Sequence, residues 1–202
     1  MNSDKRPADI VESPRLDPRL PPGQVQTEKW PVLHHGNIPE VDLAKWDFTI
    51  DGLVEHAQRW NWEEFGQLPR TRVHSDIHCV TRWSRYDNLW SGVSLRDVIA
   101  KAAPKPEARF AIIHAEHGFT TNLPLPELLA DDVLLADQHD GEALTPEHGW
   151  PLRLVVPRRY FWKSAKWIRR IELVERDAPG FWERNGYHNE ADPWREERFA
   201  DW

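Results

Sequence analysis

Ile77-His78-Cys79-Val80-Thr81-Arg82-Trp83-Ser84 is the stretch on which the reading of the fold turns, and it holds the one cysteine of the 202-residue chain. It ends a run starting at Arg72 in which β-branched and polar residues interleave. Arg72 to Val80 is therefore expected as a β-strand that stops and turns at Thr81-Arg82. On such a strand His74, Asp76 and His78 share one face, and Val73, Ser75, Ile77 and Cys79 the other. His74 and His78 are then about 13 Å apart, too far for one zinc ion. Cys79 is placed where rigid scaffold meets accessible loop, a common position for functional residues. Free cysteine is also among the most buried residue types, so packing is its ordinary role unless other residues converge on it.

Working outward, the chain is long enough for one domain with a substantial core. Residues 1–29 carry Pro7, Pro14, Pro18, Pro21 and Pro22 among charges and read as an extended or partly disordered N-terminal arm without visible chemistry. The domain then spans residues 30–202, including a C-terminal tail from Ala178 with Trp182, Tyr187, Trp194, Phe199 and Trp202. A single cysteine excludes an internal disulfide, and Met1 to Leu20 has no apolar leader. No apolar run approaches the roughly 20 residues of a membrane helix. A cytoplasmic, soluble protein without a membrane partner is the expectation. The formal charge of −7 argues against general nucleic-acid binding, which rests on phosphate contacts. Twelve tryptophans against one methionine imply rigid aromatic packing.

Trp46 to Asp51 alternates as a half-buried strand ended by Gly52. Trp60 to Leu68 reads as a short helix capped by Asn61, with Glu63 and Glu64 in its first turn. Asn88 to Val93 reads as a turn into a helix capped by Ser94, with Leu95, Val98, Ile99 and Ala102 at helical spacing and Pro104 as its stop. Ala108 to His114 is a buried strand, Ala115 to Asn122 a polar loop, and Pro124 to Ala130 a short helix. Val133 to Asp137 enters a hairpin at Asp140-Gly141, and Ile168 to Val174 closes the sheet. Arg153 lies beside a run of aliphatics, where burial without a partner is costly, so it is expected to meet an anion or a carboxylate. Arg158, Arg159, Lys163, Lys166, Arg169 and Arg170 crowd into thirteen residues. Such a cluster is either a solvated face or a place where phosphate is held.

Together, His78-Cys79-Val80-Thr81-Arg82-Trp83-Ser84, Trp90-Ser91-Gly92-Val93, His148-Gly149-x-Pro151-x-Arg153 and Lys163-Ser164-x-Lys166-Trp167 resemble the sulfite oxidase family of molybdenum enzymes. The similarity is greatest to its small stand-alone members related to the catalytic subunit of a methionine sulfoxide reductase, and it runs from about Trp30 to the C-terminus. It implies an α+β (mixed α/β) fold of mixed sheets with flanking helices, the sulfite oxidase-type molybdopterin-binding fold. It also implies a molybdenum–molybdopterin cofactor with Cys79 as the protein thiolate on the metal; a soft thiolate suits a redox metal and loses its proton on binding. By the same resemblance His148, Arg153, Lys163, Ser164, Ala165 and Lys166 hold the cofactor, with His35 or Asn37 (His34 is a third choice) and His114 or Glu116 as further contacts.

The function implied by the resemblance is two-electron oxygen-atom transfer on a small-molecule substrate, with sulfoxide or N-oxide reduction favoured over sulfite oxidation. Arg82 and Arg85 would attract the substrate oxygen, and Trp83 or Trp90 would wall the pocket; Arg82 and Trp90 are taken as catalytic beside Cys79. The resemblance does not extend to the haem or C-terminal dimerisation domains of animal sulfite oxidases, which implies a separate electron-transfer protein. Two alternatives stay open: a hydrolase with Cys79 as nucleophile, and a non-catalytic module that carries the pterin.

Overall fold

The computed structural model describes residues 10–200. In chain order the elements are β1 (Ile10–Glu12), β2 (Val25–Gln26), β3 (Asp47–Gly52), β4 (Gln58–Asn61), α1 (Trp62–Gly66), β5 (Arg70–His78), β6 (Trp83–Ser94), α2 (Leu95–Ala102), β7 (Phe110–Ala115) and β8 (Thr120–Pro124). They continue with α3 (Leu125–Leu128), β9 (Leu134–His139), β10 (Glu142–Ala143), β11 (Arg153–Val155), β12 (Ile168–Val174) and α4 (Phe181–Arg184).

Among the described residues two mixed sheets carry the fold. One runs β1-β5-β6-β9-β10, with β11 added to β9 and β2 to β6; the other runs β4-β3-β12-β7-β8. Local sequence explains the boundaries. Asn61 caps α1 by accepting from the Glu64 amide while the Glu64 carboxylate accepts from the Asn61 amide, so two orphan donors are satisfied at once. Asp140 and Gly141 both take positive φ, as the tight turn between β9 and β10 requires.

The main core lies between the sheets, with Phe48 and Ile50 of β3, Ile113 of β7 and Ile171 of β12 facing Val98 and Ile99 of α2. A second cluster, Val73, Ile77, Trp90, Leu134 and Val155, fills the other face of the first sheet. β9 shows the consequence in its sequence: Leu134 and Leu135 point into different clusters, so both faces are apolar and the strand reads as a continuous apolar run.

Three expectations change. Asn88 to Val93 is not a turn: it lies within the twelve-residue strand β6. Its turn-like composition has a different cause, because a Cβ on Gly92 would sit 1.9 Å from the Leu135 carbonyl of β9, at a register shift in the pairing. Thr120 to Asn122, expected as loop, opens β8. β12 is the middle strand of its sheet rather than a closing edge. From residue 10 onward the arm is part of the fold, since β1 pairs in parallel with β5 and β2 with β6; residues 1–9 of the expected arm lie outside the described residues.

Adding one methyl at residue 92 forces β6 away from β9. Gly92→Ala is expected to cost about 3 kcal/mol, the upper end for overpacking, read as a lower urea midpoint at unchanged slope.

Candidate functional site

β5 ends at His78 and the chain reverses over the next four residues. The Cys79 amide donates to the Trp83 carbonyl and the Arg82 amide to the Cys79 carbonyl, at 2.9 and 3.1 Å. Arg82 takes φ 71°, which closes the reversal. Two distant side chains fasten it: Gln24 Nε2 donates to the Cys79 carbonyl at 3.0 Å, and Arg198 Nη1 to the Val80 carbonyl at 2.8 Å. The Cys79 residue is 8% exposed and lines a cavity of about 300 Å³. Burial pushes the thiol up, partly offset by the Thr81 hydroxyl, which donates to Sγ at 3.1 Å. Among the described residues no histidine nitrogen is hydrogen-bonded to that sulfur. The neighbouring His78 faces away, its Nδ1 on the Ser84 hydroxyl, so the base that a cysteine nucleophile needs is missing.

The opposite wall is built from β11 and the turn before β12. Arg153 is 1% exposed. Its guanidinium donates to the His148 carbonyl at 2.8 Å, the Ser164 carbonyl at 2.9 Å and, weakly, the Leu154 carbonyl at 3.5 Å. Burial lowers it to about 9. Lys166 Nζ donates to the Leu33 and Glu147 carbonyls at 2.7 and 2.6 Å, and burial with the Arg153 charge lowers it to about 7. Among the described residues neither cation has a carboxylate within 4.0 Å. His148, stacked on Trp30 at 3.8 Å, leaves a buried Nε2 without a partner, and burial and the Lys166 charge push it down. A thiol facing one buried and one half-buried cation that both lack acids fits a ligand that joins a thiophilic metal to an anionic tail. A molybdenum pterin carrying a phosphate is such a ligand.

The sequence candidates divide on this geometry. Cys79, His34, His35, Trp83, Glu116, Arg153, Ser164, Ala165 and Lys166 line the cavity. His148 stands behind Arg153 through its carbonyl. The rest lie elsewhere. Asn37 is exposed. His114 pairs its Nε2 with Glu172 at 3.0 Å, and Arg82 points outward beside Gly23. Trp90 is fully buried against Trp30 and His139. Arg85 is spent on Asn88 and Asp140. Lys163, expected as a phosphate contact, is fully buried with its Nζ 2.6 Å from Glu183 Oε1 and bonded to Asn122. Two contacts of the cysteine turn escape sequence reasoning: Gln24, in the arm taken to be without chemistry, and Arg198. Nothing local in the sequence marks either, because each acts 55 or more positions from its own.

The basic cluster likewise resolves into pairs: Arg158 with Asp132, Arg159 with Glu127, Arg169 with Asp47 and Glu116, Arg170 with Asp51 and Glu172. Of its six cations only Lys166 lacks an acid among the described residues. The same test separates this cavity from a larger one of about 430 Å³ behind β5, where Arg15, Arg19, Arg158 and Arg159 each meet a carboxylate. Its charge is already balanced, so it has no comparable demand for an anion.

Known proteins share this chain's sequence and fold. The family described as "Oxidoreductase molybdopterin binding domain" matches residues 35–182. An uncharacterized oxidoreductase YuiH of Bacillus subtilis is 53% identical, covering 90% of this chain and 92% of its own. A putative protein-methionine-sulfoxide reductase subunit, YedZ1 of Azospira oryzae, is 25% identical over 75% of this chain and 57% of its own. The solved sulfane dehydrogenase SoxCD of Paracoccus pantotrophus superposes with a TM-score of 0.67 at 26% identity, over 76% of this chain and 43% of the other. The chain thus spans nearly all of the Bacillus relative but little more than half of the Azospira protein.

The site's electrostatics have two measurable consequences. Lys163→Met strands a buried Glu183 and should destabilise the protein by about 3–5 kcal/mol, with Glu183→Leu in the same chain recovering part of the loss in thermal unfolding. For Lys166, the folded chain releases the proton near pH 7 and the unfolded chain near 10.5. Between these values the unfolded state holds the extra proton, so stability rises with pH across that window. Urea unfolding of cofactor-free protein across the lower part of that window should show a rise that Lys166→Met lacks; equal slopes would refute it.

Proposed function

The chain belongs to the oxidoreductase molybdopterin binding domain family and is a molybdopterin-dependent enzyme of sulfite oxidase type; we propose that it reduces a small sulfoxide or N-oxide in preference to oxidising sulfite. The observation that carries the site assignment is the pair of cations without acids, the buried Arg153 and the half-buried Lys166, on the wall facing Cys79. In this reading Cys79 gives its thiolate to the metal. Arg153 and Lys166 hold the anionic tail of the pterin, Arg153 through the planar fork that suits phosphate. The backbone of Ser164 and Ala165 completes the cradle, with His148 standing behind it and holding Arg153 through its carbonyl. When bound, the cofactor supplies two-electron oxygen-atom transfer.

The chain's own part is to shape the cavity. Trp182 and Tyr187 stack at 4.8 Å and Trp162 meets Tyr187 edge-on at 4.9 Å, a rigid aromatic wall on one side of the cavity. A cavity of about 300 Å³ shared with a pterin accommodates only a small substrate group. The reductive direction is supported by the local Cys79-Val80-x-x-Trp83-Ser84 pattern and by the name of the Azospira relative. The SoxCD likeness supports the oxidative alternative. Electrons are assigned to a separate carrier protein, in keeping with that relative's being named a subunit. Among the described residues no helix is long and apolar enough to cross a membrane.

Protein made in a host that synthesises the cofactor should contain about one molybdenum per chain, since one thiolate ligates one metal. It should turn over sulfoxides or N-oxides with artificial electron carriers, and Cys79→Ala should reduce turnover to background. Full loading without turnover on sulfoxides, N-oxides or sulfite would favour the carrier alternative, and absence of molybdenum would refute the reading.

A further inference from the structure

The turn that carries Cys79 is held from outside its own sheet. Arg198, from the C-terminal tail, has only 5% of its side chain exposed. Its Nη1 donates to the Val80 carbonyl at 2.8 Å and its Nη2 to the Pro22 carbonyl at 3.2 Å, so one planar fork ties the tail, the arm and the cysteine turn together. Its nearest acid is Glu196, 3.7 Å away and half exposed, a weak counter-charge. The guanidinium lies over the Tyr160 ring at 4.9 Å, and its Nε is buried without a partner. Gly23 makes the approach possible: a Cβ there would come within 3.3 Å of Arg198 Nη2, and its φ of 67° suits glycine. Beside this fork, Gln24 holds the Cys79 carbonyl. Through the Val80 carbonyl the guanidinium stands one residue along the chain from Cys79.

We propose that Arg198 is a positioning residue for the sulfur of Cys79: it fixes the turn that carries the thiolate and holds a positive charge beside it, biasing a bound metal toward its reduced form. This rests on Cys79 being the metal's protein ligand. A cation near a redox centre stabilises the state with one more electron, so removing it lowers the midpoint potential. The planar fork matters separately, because a lysine ammonium restores charge but lacks the geometry to span both carbonyls.

The test uses holoenzyme. Arg198→Met should retain molybdenum while the one-electron equilibrium shifts about tenfold toward the oxidised metal, ~59 mV in midpoint potential, and the paramagnetic molybdenum signal changes shape. Arg198→Lys should return most of the potential and leave the signal altered. Fully loaded Arg198→Met with wild-type potential and signal overturns the inference. If Arg198→Met does not fold, Arg198→Lys decides: an altered signal supports positioning and an unchanged one overturns it. Cys79→Ser serves as the reference. If it keeps the wild-type signal, the ligand reading fails and the inference with it; if it changes the signal while Arg198→Met does not, the inference alone fails.

Discussion

A guanidinium buried without a carboxylate is the constraint from which the site is built. Even lowered to about 9, Arg153 keeps its charge at neutral pH, and an unpaired ion away from water is costly. Its fork is instead met by carbonyls, two of them from chain segments five and eleven residues away. These bonds tie the His148 loop and the turn at Ser164 to β11, so the segments bearing His148 and Lys166 are placed by the need to solvate Arg153. Carbonyl dipoles satisfy the N–H groups but leave the net charge. Burial pushes Lys166 and His148 down, and the surplus charge adds to the effect. On the proposed reading the anion that balances this charge is the tail of the cofactor, held in the cavity beside Cys79.

Elsewhere the same residue types do different work because acids face them. Arg169 and Arg170, on the central strand β12, reach Asp47 and Asp51 of the parallel neighbour β3. Exposed or half-exposed pairs of this kind are each worth little in stability. Their effect is to use up charge that would otherwise compete for the anion. Lys163 is the extreme case, neutralised by Glu183 in full burial. It lies three residues from Lys166, yet across the backbone it belongs to another environment. Whether a basic residue here binds a ligand is decided by whether an acid has reached it first.

The aromatic residues divide along the layers. Trp46 and Trp60 fill the space between α1 and the second sheet. Trp30, Trp83 and Trp90 cover the outer face of the first sheet. Trp162 and Trp182 belong to the cavity wall. Large rings with few rotatable bonds keep a wall in place at low entropic cost. The tail that supplies Trp182 and Tyr187 also supplies Arg198, so the segment that walls the cavity is the one that grips the cysteine turn. The arm completes the grip with Gln24, which makes residues far apart in sequence neighbours of a single thiol.

Much of this is legible in the sequence. The strand that delivers Cys79, the cap at Asn61, the helix after Ser94 and the Asp140-Gly141 turn arise from interactions within a few residues, which local periodicity and turn chemistry report directly. The motifs around Cys79, His148, Arg153 and Lys166 point to one family and one cofactor. What only the tertiary structure decided was the company each side chain keeps. Gly92 reads as a turn glycine until β9 packs against it, and Lys163 and Lys166 are equivalent by composition until Glu183 reaches one of them. Gln24 and Arg198 carry no local signature, because their bonds to the cysteine turn span 55 and 118 positions. Short-range order is written in neighbouring residues. Charge compensation and close backbone approach depend on distances through space, which arise only when the sheets, the arm and the tail come together.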